Sequence, residues 1–575
     1  MSDESFTKSL FHGVIAESLI FPYPEPLGRE RDRVTGLCDA IRRFAQSSID
    51  SARIDREGCV PPEVIQGLAD LGLFGLTIPP EYGGTGLSVS AYARVLQEVA
   101  AVDLALAVTL SAHTSLGATA ILTFGTEEQK RAYLPAMARG ERIAAFALTE
   151  VHAGTDAAAI RTHAERSHDG ATYTLQGTKI WVTNADRADV FVVFARTSPR
   201  EENSKPKITA FLVDRKEHGE GVVVGSPDRK LGVRGASTAS VDFAGVVVPK
   251  AAVLGEVGRG FKLAVDVLNV GRLGLASACV GLSRKLVKMS VDRALERSAF
   301  GRPIGEFGLI KDKIAAMTSE AFALESMLYL TTALVDGGGA DTSMESAILK
   351  IFGSETVLRV ATEALQIAGG QAYGAEHAWE RLLRDARVAL VFEGTNEVLR
   401  CFVGLSGMQG PSKALADVTK AMREPIKGFG LLSDFALRKA RTALGRERLT
   451  RAHPILSREA VVFEEYTTEL AKNADKVLRR HGRDIAEMQY TQKRIAEMAI
   501  DLFAIAALVS RTSRAIERRG EEGARREIDL TTVFVTAAEK RLAANTAAFD
   551  KNDDELRKSI ASKTYNDGGY PFDVL

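Results

Sequence analysis

The hydrophobic period of this chain changes near Arg142 and changes back near Gly260, and that double switch limits the folds open to it. Before it, "DRVTGLCDAIRRFAQSSID" and "PPEVIQGLADLGLFGLTI" carry apolar residues at three- and four-residue spacing, the pattern of amphipathic helices. After Arg142 come short β-branched or aromatic runs divided by polar and glycine turns: "IAAFALTE", "ATYTLQGTKIWVT", "DVFVVFART", "KITAFLVDR" and "ASVDFAGVVVP". Their density predicts a compact antiparallel barrel or sandwich. From Gly260, "GFKLAVDVLNVGRLGLASACVGLSRKLVKMSVDRALER" is one long helical run. The expected class is therefore α+β in four parts. These are a helical domain with an N-terminal extension (1–141), a β domain (142–255), a helical bundle (256–410) and a further helical domain (411–575), the last behind a linker at "GMQGPS".

Charge and cysteines exclude several classes. Lys and Arg number 74, as do Asp and Glu, so no global field favours nucleic acid. Cys38, Cys59, Cys279 and Cys401 stand apart, without a CxxC pair or zinc-like cluster, which suits a reducing compartment. "MSDESFTKSLFHGV" has no signal-peptide pattern, and "YPFDVL" is not a recognised address, so a cytoplasmic location is expected. Residues 104–126 hold no Asp, Glu, Lys or Arg, but His113 and several Ser, Thr and Gly make them a buried helix rather than a membrane span.

Glu393, in "RVALVFEGTNEVLR", poses a chemical question. A carboxylate between an apolar approach and a glycine break is costly to bury unless it is paired or used. No G-x-G-x-x-G, P-loop, H-E-x-x-H or G-x-S-x-G pattern offers another chemistry, and no metal is expected. By itself, Glu393 reads equally well as a helix-start residue near Asn396.

Four stretches resemble acyl-CoA dehydrogenases, in order: "AFALTEVHAGTDAAAI" (145–160), "GTKIWVTNA" (177–185), "RSAFGRPIGEFGLIKDKIAAM" (297–317) and "LQIAGGQAYGAEHAWERLLRDARVALVFEGTNEVLR" (365–400). "IFPYPEP" and the long C-terminal helical region are similar to the very-long-chain branch. The resemblance implies FAD-dependent α,β-dehydrogenation of long acyl-CoA thioesters to trans-2-enoyl-CoA, the first step of fatty acid β-oxidation. Glu393 matches the base; burial would raise its pKa, and Gly394 would let the backbone turn. In the family the base residue's own N–H and a flavin ribityl hydroxyl polarise the thioester carbonyl.

The same resemblance assigns FAD contacts to Phe146, Leu148, Thr149, Gly154, Thr155, Trp181 and Thr183. Arg297 and Phe300 match positions that reach the FAD of a neighbouring subunit, and Gln366, Gly370 and Thr395 match further cofactor contacts, which implies a homodimer. Thr155, Asn269 and Arg272 match positions near acyl-CoA, and the three-residue spacing of the last two puts them on one helix face. Val151-His152 and Ala185-Asp186 stand where the family usually carries proline and Gly-Gly.

The implied electron acceptor is an electron-transfer flavoprotein. An acyl-CoA oxidase and a dual-role respiratory-complex assembly protein are the alternatives. Small residues in "SAHTSLGATA" (111–120) could leave room for a long acyl tail or could serve close helix packing. The basic, leucine-bearing stretch 427–451 is expected to lie on an anionic membrane surface, making the protein peripheral at the inner membrane.

Overall fold

A computed structural model describes residues 5–198, 207–423 and 447–573. The chain divides into two compact units, one built on Tyr23–Leu399, the other on Glu4–Pro22 with Arg400–Leu575. Most of the basic stretch 427–451 lies outside the described residues, so its expected membrane role has no structural account.

The first unit opens with helices α1 (Arg31–Ser48), α2 (Val89–Val102) and α3 (Leu104–Ser111). Side chains cap the last two as their residue types lead one to expect: Ser88 accepts from Ala91 N–H, and Asp103 from Ala105 N–H. A π-helical turn follows at Ala112–Ala118, then α4 (Thr119–Phe124) and α5 (Glu127–Ala138), the last entered through a Thr126–Gln129 capping box.

The β segment contains β1 (Ala144–Ala147), β2 (His163–Arg166), β3 (Thr172–Thr183), β4 (Val190–Arg196), β5 (Ile208–Asp214), β6 (Val222–Val224), β7 (Thr238–Pro249) and β8 (Val253–Leu254). They pair in the order β6-β7-β3-β2-β4-β5-β8, with β1 on β4. The sheet is mixed rather than wholly antiparallel. β1 runs parallel to β4, from Ala144↔Val190 to Ala147↔Val193. The chain can do this because β2 and β3 lie in the connection between them, and parallel pairing needs a long crossover. β4 is buried on both faces: Val190, Val192 and Phe194 join one core, Phe191, Val193 and Ala195 the other.

Three long helices complete the unit: α6 (Gly260–Glu296), α7 (Gly308–Gly337) and α8 (Ser343–Ala368). Between α6 and α7 lies a small hairpin of β9 (Ser298–Ala299) and β10 (Arg302–Pro303). Then comes α9 (Ala378–Arg387) and, past the Glu393 loop, the first residues of α10 (Asn396–Arg423), which from Arg400 on belongs to the second unit. From Gly271 to Ser283, α6 is buried on every side, and apart from Arg272 the stretch holds only apolar and small residues, as a helix without a solvent face requires. Leu104–Phe124 and Gly260–Glu296 are long and apolar enough to cross a membrane, but 78% and 72% of their apolar windows are buried inside the protein.

The N-terminal extension belongs elsewhere than expected. Glu4–Pro22 groups with the second unit, not with the N-terminal helices. The cause is aromatic burial. Phe6 is fully buried, with its ring centroid 6.3 Å from that of Phe463 and 6.1 Å from that of Phe503. The described residues of the second unit include the long helices Ser457–His481, Gln489–Gly523 and Arg525–Ala547.

Candidate active site

The Glu393 loop breaks the helix pattern with two successive left-handed residues, Glu393 (φ 59) and Gly394 (φ 92). Glycine takes this conformation freely; glutamate does so at a cost, and such strain clusters at functional sites. The bend lays the carboxyl against α6 at Gly271, where a Cβ would lie 3.0 Å from Oε2 and 2.8 Å from Leu116. The residue as a whole is half-buried, but its Oε2 is shut off from water and has no hydrogen-bond partner. Burial lifts the carboxyl pKa from 4.5 to about 7, against the opposing pull of Arg272 and Lys350. A base with that value suits proton abstraction near neutral pH. No acceptor among the described residues takes the Glu393 N–H.

Arg272 and Asn269 share a face of α6, as their spacing implies. Arg272 Nη1 donates to Asn269 Oδ1 (2.8 Å) and Nε to Glu393 O (3.2 Å). Arg272 is only 8% exposed, and burial lowers its pKa, so this is no solvated edge. Thr395 follows the bend, half-buried.

A cavity of about 50 Å³ joins the base to the β segment, with Glu393, Thr183, Leu116, Ser111 and Gly271 among its walls. The small residues of 111–120 serve close packing: a Cβ on Gly274 would meet Ser111 at 2.8 Å, and one on Gly117 would meet Ala144 at 2.4 Å. His113 pins the π-helical turn to β1 by accepting from Ala144 N–H (3.1 Å), and burial drops its pKa to about 4, leaving it neutral. π-helical turns recur at functional sites.

Trp181 stands on a bulge. The β3–β7 register shifts between Lys179 and Val182, the mark of an extra residue in one strand. Trp181 takes φ 56 there, which turns its ring outward to 56% exposure. Ile180 N–H donates to Thr149 O (2.9 Å), tying the bulge to the loop after β1. Asn184 Nδ2 donates to Thr109 O (3.0 Å), anchoring the end of the bulge to α3. Thr149, Trp181 and Thr183 therefore share one edge beside the Glu393 cavity. An exposed indole on this edge offers a flat face that fits an isoalloxazine ring.

Sequence reasoning missed what holds this edge. Lys179, fully buried, donates to Leu148 O (3.0 Å) and Glu150 Oε1 (2.7 Å), and burial lowers its pKa to about 8. Glu150 also accepts from the N–H groups of Arg161 (2.6 Å) and Thr162 (3.0 Å). Reciprocal Glu150–Ala153 backbone bonds (3.0 Å) close the turn at Val151-His152. A lysine at the heart of "GTKIWVT" was the available signal. Phe146 packs on Phe194 (4.8 Å) and Leu148 is buried, whereas Gly154 and Thr155 are exposed on the loop beyond the turn.

Four expected cofactor residues lie elsewhere. Arg297 follows the end of α6, on the order of 40 Å along the helix from Gly271 at the usual rise per residue. Phe300 (φ 52) and Gly301 (φ 81) form the tip of the β9–β10 hairpin, where both central residues must be left-handed. Phe300 is 95% exposed there. Arg293 donates to Ala368 O (3.5 Å), bringing the ends of α6 and α8 together, so exposed Gln366 and Gly370 share this far end.

Comparison with known proteins gives a consistent result. Family profiles described as acyl-CoA dehydrogenase N-terminal, middle and C-terminal domains match residues 33–141, 145–246 and 258–406. A profile described as the ACAD9/ACADV C-terminal domain matches residues 454–570. The human mitochondrial very long-chain specific acyl-CoA dehydrogenase is 40% identical over 557 residues, 96% of this chain and 85% of that one. An acyl-CoA dehydrogenase from Bacillus anthracis, complexed with FAD, superposes with a TM-score of 0.79 at 28% identity, covering 98% and 96% of the two chains. Butyryl-CoA dehydrogenase from Megasphaera elsdenii has a TM-score of 0.62 at 35% identity, covering 65% of this chain and 98% of that one.

Proposed function

Because this chain belongs to the acyl-CoA dehydrogenase family and is an FAD-dependent oxidoreductase, we propose that it dehydrogenates long acyl-CoA thioesters to trans-2-enoyl-CoA, as in the first step of β-oxidation, and passes the electrons to an electron-transfer flavoprotein. The observation that carries this reading is the Glu393 carboxyl, with its Oε2 buried and unpartnered, sharing a cavity with Thr183.

Glu393 takes the proton from the carbon beside the thioester carbonyl. Its N–H, taken by no acceptor among the described residues, would donate to the carbonyl oxygen, where negative charge develops as that proton leaves. Bound FAD supplies the acceptor for the hydride lost from the next carbon, so the two electrons of the broken C–H bond at the first carbon become the new double bond. Thr149, Trp181 and Thr183 would hold the ring, with Lys179 and Glu150 fixing the loop behind them. Asn269 and Arg272 hold the substrate side. Arg297, Phe300, Gln366 and Gly370 sit too far along the bundle to touch the same ring, which favours a homodimer in which they reach the partner's FAD.

Preference for long chains is supported by the identity to the human very long-chain enzyme and by the C-terminal domain match. The cavity volume carries no such preference. The test is a series of acyl-CoAs of rising length with purified FAD-loaded protein and an artificial electron acceptor. kcat/KM should rise toward long chains; an optimum at short chains ends the long-chain reading. Reoxidation by oxygen as fast as by the artificial acceptor would make the protein an oxidase instead. Peripheral membrane binding through 427–451 remains part of the proposal. Flotation with anionic vesicles at low salt tests it, and protein left wholly unbound removes it.

A further inference from the structure

The chemistry above makes no use of Lys350, yet this cation is enclosed beside the Glu393 loop. Its side chain is 0% exposed. Nζ donates to Gly394 O (2.7 Å) and to Asn396 Oδ1 (2.8 Å). Asn396 in turn donates to Ser354 Oγ (3.0 Å) and Glu355 Oε1 (3.1 Å), so the loop is fastened to α8 at several points. Burying an ammonium costs several kcal/mol even after relaxation, and a well-packed apolar side chain would usually fill such a place more favourably. The charge therefore calls for a reason. The backbone supplies one. Glu393 and Gly394 are both left-handed, and each of their carbonyls is held by a buried cation: Glu393 O by Arg272, Gly394 O by Lys350.

We propose that Lys350 is a positioning residue for the Glu393 base, holding the left-handed bend through Gly394 O and Asn396 so that the carboxyl faces Gly271 and the cavity. This rests on Glu393 being the base. A helix propensity or a packing role would need neither the ammonium nor its two acceptors. The charge has a second consequence. Lys350 and Arg272 both favour the ionised carboxyl, while burial opposes it. Around Lys350 stand Glu393, Arg272, Cys279 and Glu397, with Glu355 beyond Asn396. Removing the lysine takes one cation from this set, so the carboxyl should ionise at higher pH.

The test uses flavin-loaded protein carrying Lys350→Met, Lys350→Gln or Lys350→Arg, with Glu393→Gln alongside. Flavin bleaching by acyl-CoA is followed in single turnover from pH 5 to 9, together with FAD content. Lys350→Met should slow bleaching roughly 100-fold with FAD retained, and the acid limb should move up by about one pH unit, the lower end of what one opposing charge does. Lys350→Gln gives the same reading of the limb if the methionine variant folds poorly. Lys350→Arg should keep the wild-type limb and recover part of the rate. A limb unmoved in both methionine and glutamine variants, or a rate loss that arginine does not relieve, overturns the proposal. Near-normal bleaching in Glu393→Gln would instead remove the base assignment beneath it. Inactive Glu393→Gln with an unmoved limb in the lysine variants removes only the role of Lys350.

Discussion

Glu393→Gln should gain stability over wild type as pH rises from 5 to 8 while dehydrogenation falls by orders of magnitude. The carboxyl titrates at about 7 instead of 4.5 because burial penalises its charged form more than Arg272 and Lys350 favour it. At about 1.36 kcal/mol per unit, the fold gives up roughly 3 kcal/mol to hold this group ionised. The sign follows from proton binding. Between pH 4.5 and 7 the folded state keeps a proton that the unfolded chain has released. Stability from this group therefore falls as pH rises through that window, and the penalty is complete above about pH 7. Glutamine has no such term. It does bring an amide into a place where Oε2 has no partner, a cost of about 1–3 kcal/mol, but that cost does not vary with pH. Comparing the two proteins across pH therefore isolates the carboxyl. Scanning calorimetry of FAD-saturated protein should show the variant gaining roughly 3 kcal/mol on wild type between pH 5 and 8, or about 4 °C in Tm for a unit of this size. Turnover should fall about 10²- to 10⁴-fold, the usual contribution of a general base. A Tm difference that stays constant with pH would refute the desolvated carboxyl, and turnover near wild type would refute its role.

Two further outcomes follow from the packing around the site. Gly271→Ala puts a methyl 3.0 Å from Glu393 Oε2 and 2.8 Å from Leu116, so the carboxyl must shift. Flavin reduction in rapid-mixing experiments should slow at least about tenfold, about 1.4 kcal/mol in the barrier, with the helix intact because alanine is the better helix former. Lys179→Met leaves Glu150 buried without its cation and should cost roughly 3–5 kcal/mol, read as a lower Tm with earlier release of FAD fluorescence on heating. Unchanged FAD release there would show that the pair does not support the flavin edge.

Local spacing settled what depends on neighbours along the chain. The period switch at Arg142 and the return near Gly260 marked a β segment between helical ones, since side-chain period reports which face is buried. Asn269 and Arg272 could be set on one face of α6 from three-residue spacing alone, and the glycine after Glu393 marked a turn. Contacts across the fold decided the rest, because burial and electrostatics depend on what packs opposite. In "AILKIFGS", Lys350 looks like any helix lysine; only α6, α8 and the Glu393 loop together bury it and supply its acceptors. Trp181 reads as a strand aromatic until the register with β7 slips and turns it outward. β1 found β4 as a parallel partner, and the N-terminal extension joined the C-terminal unit, because Phe6 found Phe463 and Phe503 there. The Glu393 carboxyl shows the division most plainly: its place between Phe392 and Gly394 was legible, but its pKa of about 7 exists only where α6 closes over it and keeps water from Oε2.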